Sequence, residues 1–124
     1  MHPVRFFILM GVAGCGKSSY GRLLADRFQV PYLDGDDFHP PENIAKMSAG
    51  IALDDTDRWP WLDAIVTNMA KASRASGADG IIFAGCSSLR KCYRDHLLTG
   101  IGAPVHFIYL AADRALITQR MAAR

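Results

Sequence analysis

Cysteine is scarce in this chain, and what little there is excludes two architectures. Cys15, Cys86 and Cys92 are three among 124 residues, an odd number with no C-x-x-C spacing. A disulfide framework or a zinc site does not fit that count, and a reducing cytoplasm does. Long apolar runs are also missing: no stretch approaches the length of a membrane span. Charge of one sign is missing too. The formal net charge is +2, which offers no electrostatic argument for nucleic acid or for a membrane surface. There is no internal repeat and no low-complexity tract. What remains is 50% hydrophobic and 21% charged residues, the composition of one ordinary globular domain with one core.

The charges that are present are unevenly spread. Seven of the twelve acids lie between Asp34 and Asp57, and much of the positive charge lies from Arg90 onward. One stretch is thus suited to a metal or a proton and the other to anions.

Hydrophobic period sets the element order. Val4 to Met10 is a nearly continuous apolar run ending at Gly11, as in a strand buried on both faces of a parallel sheet. Tyr20, Leu23, Leu24 and Phe28 then recur at helical spacing, and Pro31 stops that helix. Tyr32-Leu33 is a short extended piece before "DGDDFHPPEN". Ile44 to Met47 suggests a short helix. Asp57 can cap a longer one, with Pro60 in its first turn and Trp61, Leu62, Ile65, Val66 and Met69 inward. Gly77 is its expected stop. "GIIFA", 80 to 84, reads as a second buried strand. Ser87 or Ser88 can cap a helix in which Leu89, Cys92, Tyr93, His96 and Leu97 share a face. "VHFIYL", 105 to 110, is a further strand, and Asp113 opens a last helix with Leu116, Ile117 and Met121 inward. The order β-α-β-α-β-α-β-α, with more than one helix in the second crossover, predicts an α/β fold with a parallel sheet covered by helices.

"GVAGCGKSS", 11 to 19, admits two readings. Val12-Ala13-Gly14-Cys15 has the small residues before a cysteine that lipid attachment needs. Against this, the apolar run upstream is short, and cleavage before Cys15 would destroy the unit that the downstream amphipathic helix needs. The other reading is a phosphate loop. Gly11, Gly16, Lys17 and Ser18 satisfy G-x-x-x-x-G-K-[ST], between a buried strand and a helix. Glycines let backbone N–H groups turn around phosphate oxygens, and the helix start adds its positive dipole end. Lys17 supplies a charge for the outer phosphates and Ser18 a hydroxyl for Mg²⁺. The phosphate loop is the reading adopted.

A switch or motor would place an Asp at the end of the next buried strand, but "GIIFAGCSS" ends in Gly, Cys and Ser. Small-molecule kinases remain, and "LDGDDFH" offers the acids. Asp34 and Asp36 follow a short strand at the carboxyl edge of the sheet. One can hold a water of Mg²⁺ while the other accepts a proton from a hydroxyl nucleophile. As an alternative they are solvated turn residues. Lys91 and Arg94 are three apart on a helix and suit an anion, unless Asp95 simply pairs Lys91 on a solvated face. Arg58 is either a substrate clamp or the partner of nearby aspartates. Arg120 and Arg124, four apart, repel unless an anion sits between them or they belong to an exposed terminus.

Four segments, "MGVAGCGKSS", "LDGDDFHPPENIAKMSAGIALDDTDRWPWL", "CSSLRKCYRD" and "FIYLAADRALITQRMAAR", span nearly the whole chain. In that order they resemble the gluconokinases, small P-loop kinases related to shikimate and nucleoside-monophosphate kinases. The resemblance implies a P-loop kinase-type parallel sheet of about four strands here, in a single domain over 1–124. It implies a substrate-binding helical insertion at about 38–78 and a lid beginning near 120–124. It implies transfer of the γ-phosphoryl group of ATP to the 6-hydroxyl of D-gluconate with Mg²⁺, in the cytoplasm, without nucleic acid or membrane, and a tendency to form homodimers. It assigns ATP to Gly11, Ala13, Gly14, Cys15, Gly16, Lys17, Ser18, Ser19, Arg120 and Arg124. It makes Lys17 and Asp36 catalytic, with Ser18 and, through water, Asp34 at the metal. It directs Asp36, His39, Arg58, Lys91 and Arg94 toward gluconate. Departures are Cys15 where the family usually has Ser, and Ser88 and Arg90 where it has Ala and Lys. Family members continue past Arg124 into a Gly-His-Phe lid segment, a strand and a helix, so the chain reads as C-terminally truncated. Nucleotide binding is therefore expected ahead of fast turnover, because a lid excludes water.

Overall fold

The computed structural model describes residues 5–11, 17–76, 81–87 and 90–110. Strand β1 is Arg5–Met10 and helix α1 is Lys17–Phe28. Strand β2 is Tyr32–Asp34, followed by a 3₁₀ turn over Gly35–Phe38. Helices α2 (Pro41–Ser48) and α3 (Asp55–Ser76) precede β3 (Ile81–Gly85), α4 (Lys91–Ile101) and β4 (Val105–Tyr109). The four strands are parallel in the order β2-β3-β1-β4. This is the expected α/β architecture, with two helices in the second crossover.

Alternation along β1 and β3 divides the core between the two sheet faces. Phe6, Ile8, Ile82 and Ala84 pack with Trp61, Leu62, Ile65 and Met69 of α3 and with Tyr93 and Leu97 of α4. Leu9 and Phe83, on the opposite face, pack with Ala25 of α1. Ile8 and Leu9 are both fully buried, so β1 is the central strand that its apolar run implied.

Four expectations are corrected. Tyr20, Leu23 and Phe28 are exposed, Leu23 by 65%. The buried positions of α1 are Gly21 and Ala25. A side chain at position 21 would run into the ring of Tyr32, so close approach of α1 to β2 sets the helix's rotation rather than its larger apolar residues. Helix α4 starts at Lys91 after an extended Arg90 that makes no side-chain cap. Ser87 is therefore not its cap, and Ser88 and Leu89 lie outside the described residues. Asp57 is the third residue of α3 rather than its cap. The Asp57 N–H donates to Asp54 Oδ1 at 2.8 Å, and the Asp54 N–H donates to Asp57 Oδ2 at 3.0 Å. This reciprocal pair starts the helix earlier than expected, which leaves Pro60 inside it, beyond its first turn. The helix expected over Ile44 to Met47 is longer, starting with Pro41 in its first turn. Gly77 and the last helix with Asp113, Leu116, Ile117 and Met121 fall outside the described residues.

Tyr32 shows how tightly α1, β2 and β3 meet. Its ring fills the space that side chains at Gly21 and Gly85 would need. Its hydroxyl is buried and has no hydrogen-bond partner among the described residues. Burial, and next the charge of Asp34, push the phenol up from 10.0 to about 12. The Ser18 hydroxyl pulls the other way, but its hydrogen goes to Asp34 and its oxygen does not accept the Tyr32 O–H within hydrogen-bond geometry. Tyr32→Phe is expected to stabilise the fold by about 1 kcal/mol, since it removes an unsatisfied buried group. The sign with pH follows from linkage. The unfolded phenol ionises near 10.0 and the folded one near 12, so wild-type stability is full below the lower value and is lost as pH rises between the two. Urea denaturation below and within that window should show a loss that Tyr32→Phe lessens. Parallel losses in the two proteins would contradict a buried, unpartnered hydroxyl.

Candidate functional site

The carboxyl ends of β1 and β2 and the start of α1 converge at one edge of the sheet, where open α/β sheets bind ligands. Lys17 Nζ donates to the Gly11 carbonyl at 2.8 Å, which holds the ammonium against the first residue of the loop. Ser18 Oγ donates to Asp34 Oδ2 at 3.0 Å. The other carboxylate oxygen of Asp34 caps the 3₁₀ turn by accepting the Asp36 N–H at 3.0 Å. Both Asp34 oxygens are thereby committed. The Asp36 carboxylate is exposed and makes no hydrogen bond or ion pair among the described residues. Ser19 is exposed on the first turn of α1. Ala13, Gly14, Cys15 and Gly16 lie outside the described residues.

Ser18 and Asp34 are the residues able to hold a metal. They present a hydroxyl and a carboxylate oxygen side by side, the hard donors Mg²⁺ takes. No group of three or more His, Cys, Asp or Glu side chains with metal-site geometry occurs among the described residues. A two-residue set fits Mg²⁺, which is commonly held by one or two protein oxygens together with phosphates and waters.

The turn carrying Asp36 is anchored from below. Trp61, 3% exposed, donates its indole N–H to the Gly35 carbonyl at 2.7 Å. His39 stacks on the same indole, with centroids 4.4 Å apart and planes 12° from parallel. Its imidazole is pushed below the usual 6.5 by burial, with Asp36 drawing it up and Arg58 pushing it further down. Asp36 and Arg58 therefore both lie within electrostatic reach of His39.

Arg58 is not a direct partner of the aspartates that surround it in sequence. Its Nη1 donates to the Tyr93 hydroxyl at 2.7 Å, and that hydroxyl donates to Asp55. Arg90 completes the cluster through Nη1, 2.9 Å from Asp55 Oδ1, and both guanidiniums lie over the Tyr93 ring. The Asp55 carboxyl is held below its ordinary value, first by the Tyr93 hydroxyl and then by Arg90. Asp57 is occupied by Lys46 at 2.8 Å. Lys91 pairs with Asp95 at 2.9 Å on a helix face where its side chain is 80% exposed, the solvated arrangement that the sequence left open. Arg94 is half-buried on α4. Neither Lys91 nor Arg94 is joined to Asp36 by a described contact. Arg120 and Arg124 lie outside the described residues.

Sequence reasoning missed Asn43, Asp55 and Arg90 as parts of this site, and took Trp61 and Tyr93 for core alone. The two aromatics are core residues whose polar tips reach back to the site, which helical spacing does not register. Asn43 had no signal of its own.

A parallel sheet in the order β2-β3-β1-β4, with a glycine-rich loop between β1 and α1, defines a P-loop kinase fold. The shikimate kinase family model matches residues 13–124. The thermosensitive gluconokinase of Escherichia coli K12 is 44% identical over 118 residues, 95% of this chain and 61% of that protein. The thermoresistant gluconokinase of the same organism is 40% identical over 123 residues, 99% of this chain and 68% of that protein. A gluconokinase crystal structure from Sinorhizobium meliloti 1021 superposes with a TM-score of 0.83 at 40% identity, covering 100% of this chain and 67% of that one. The chain belongs to the shikimate kinase family and, within it, to the gluconokinases. It spans about two thirds of the length of these relatives. No helix among the described residues is long and apolar enough to cross a membrane.

Proposed function

We propose that this chain carries the catalytic core of an ATP-dependent kinase that phosphorylates D-gluconate at its 6-hydroxyl. The observation behind the reading is the Ser18–Asp34–Asp36 array at the strand ends, with His39 and Arg58 beside it. In this reading the loop from Gly11 through Ala13, Gly14, Cys15 and Gly16 to Ser19 cradles the phosphates of ATP, and Lys17 offsets charge on the group being transferred. When bound, Mg²⁺ supplies electrophilic neutralisation of phosphate charge, and Ser18 with Asp34 would hold it. Asp36 aligns the attacking hydroxyl and accepts its proton as the new oxygen–phosphorus bond forms and the bond to the ADP oxygen breaks. Arg58, whose direction is set by Tyr93, meets the gluconate carboxylate. Lys91 and Arg94 are assigned to the same substrate, and Arg120 and Arg124 to the nucleotide, on the family resemblance. Cys86 and Cys92 form no disulfide among the described residues, in keeping with a reducing cytoplasm. A homodimer is proposed from the resemblance alone.

Calorimetry with Mg·ATP, followed by a coupled ADP-release assay over a panel of sugar acids, tests this. A heat of binding and turnover greatest with gluconate are expected. Binding without acceptor-dependent turnover would leave a nucleotide-binding fragment. A preference for another polyol or acid would change the substrate and keep the reaction class. No heat with Mg·ATP for the folded chain would overturn the reading.

A further inference from the structure

Asn43 is the one buried polar residue among those described, 2% exposed and outside the apolar core. Its Nδ2 lies 2.9 Å from the Asp57 carbonyl oxygen and 3.2 Å from His39 Nδ1. A backbone carbonyl only accepts, so the group facing Asp57 is the amide NH₂ and not the amide oxygen. That nitrogen has two hydrogens. One goes to Asp57, and the other points to His39. A proton on His39 Nδ1 would then oppose an N–H with an N–H. Nδ1 must be the acceptor, and the hydrogen of the neutral ring must sit on Nε2.

We propose that Asn43 is a positioning residue that holds His39 in the Nε2–H form, so that His39 serves the substrate as a hydrogen-bond donor and not as a proton acceptor. The donor role rests on the gluconate reading above. The tautomer does not. His39 Nε2 has no protein partner among the described residues, while its ring is clamped against Trp61. A hydroxyl both gives and receives a hydrogen bond. Asp36 can only accept, and His39 in this form can only donate at Nε2, so together they match one alcohol group of a polyol in both senses. The low proton affinity of the ring, from burial and from Arg58, agrees with a group kept neutral. The same arrangement leaves Asp36 as the single base of the pair.

Nitrogen-15 NMR of the histidine rings in the whole chain is the direct test. At neutral pH, His39 is expected to show a pyridine-type Nδ1 and a pyrrole-type Nε2. Asn43→Ala should bring the two shifts together as the tautomers mix. A protonated Nδ1 in the wild type, or an unchanged ring in Asn43→Ala, would overturn the proposal. The donor role is read from gluconate titrations of two variants. His39→Gln places an amide N–H near the Nε2 position, and His39→Asn places one near Nδ1. Gluconate should bind His39→Asn about tenfold more weakly than His39→Gln, the worth of one hydrogen bond. Equal weakening would remove the donor role. If gluconate did not bind the wild-type chain at all, the substrate reading and the donor role would fail together, while the NMR result on the free chain would still decide the tautomer.

Discussion

Asp36→Asn is expected to slow phosphoryl transfer to gluconate by about 10²–10⁴-fold, the usual worth of a positioned proton acceptor, and to leave the Kd for Mg·ATP unchanged. The asymmetry follows from how the two aspartates are used. The Asp36 backbone N–H is pinned to Asp34 Oδ1, and Asn keeps that bond and nearly the same shape. The change removes the charge and the proton-accepting capacity at the tip of an exposed side chain, while an amide oxygen remains. Asp34→Asn should behave differently, because Asp34 Oδ2 receives the Ser18 hydroxyl and its replacement disturbs the start of α1. Steady-state kinetics with gluconate and calorimetry with Mg·ATP, run on both variants, separate the two roles. Equal loss of turnover and of ATP affinity in Asp36→Asn would take Asp36 out of the acceptor role.

The largest effect on stability is expected at Trp61. Truncation to Ala removes a buried indole from the main core cluster and should cost about 3–5 kcal/mol, against a total of about 5–15 kcal/mol for a typical domain. Trp61→Phe separates packing from hydrogen bonding. It keeps most of the ring and removes the indole's hydrogen bond to the Gly35 carbonyl, which still accepts the Phe38 N–H of the 3₁₀ turn, for a cost of about 0.5–1.5 kcal/mol. Chemical denaturation of both variants measures this through the midpoint at constant m. The turn bearing Asp36 and His39 rests on that carbonyl and on that ring. Trp61→Phe should therefore also weaken gluconate binding in conditions where the protein remains folded. A variant as stable as wild type would show that the bond to Gly35 contributes nothing.

Much of this was legible from local pattern. The apolar runs at β1, β3 and β4 and the helical spacing of α3 reported their own elements, because burial on both faces or on one stripe leaves a period in the chain. The segment from Gly11 to Ser18 stood out as a candidate phosphate loop because phosphate recognition needs fixed residue types at fixed spacing between a strand and a helix. The rotation of α1 was not. Period shows which residues align on a helix, but not which alignment meets a neighbour. There the tie is broken by Gly21, where a missing side chain lets the Tyr32 ring in. Asp57 misled for a related reason. Both it and Asp54 can cap, and only the paired N–H bonds distinguish the outer residue from the inner one.

Taken alone, the sequence determined the α/β class, the strand order along the chain and the candidacy of the segment from Gly11 to Ser18, of Asp34 and of Asp36. Each of these depends on neighbours a few residues apart, whose relation the chain itself carries. Only the tertiary structure decided that Arg58 is aimed by Tyr93 from 35 residues away, that Lys91 pairs with Asp95 on an exposed helix face, and that the Asn43 amide lies between His39 and the Asp57 carbonyl. Side-chain hydrogen bonds act over about 3 Å and in defined directions, and across separate elements both quantities exist only once the helices are packed on the sheet.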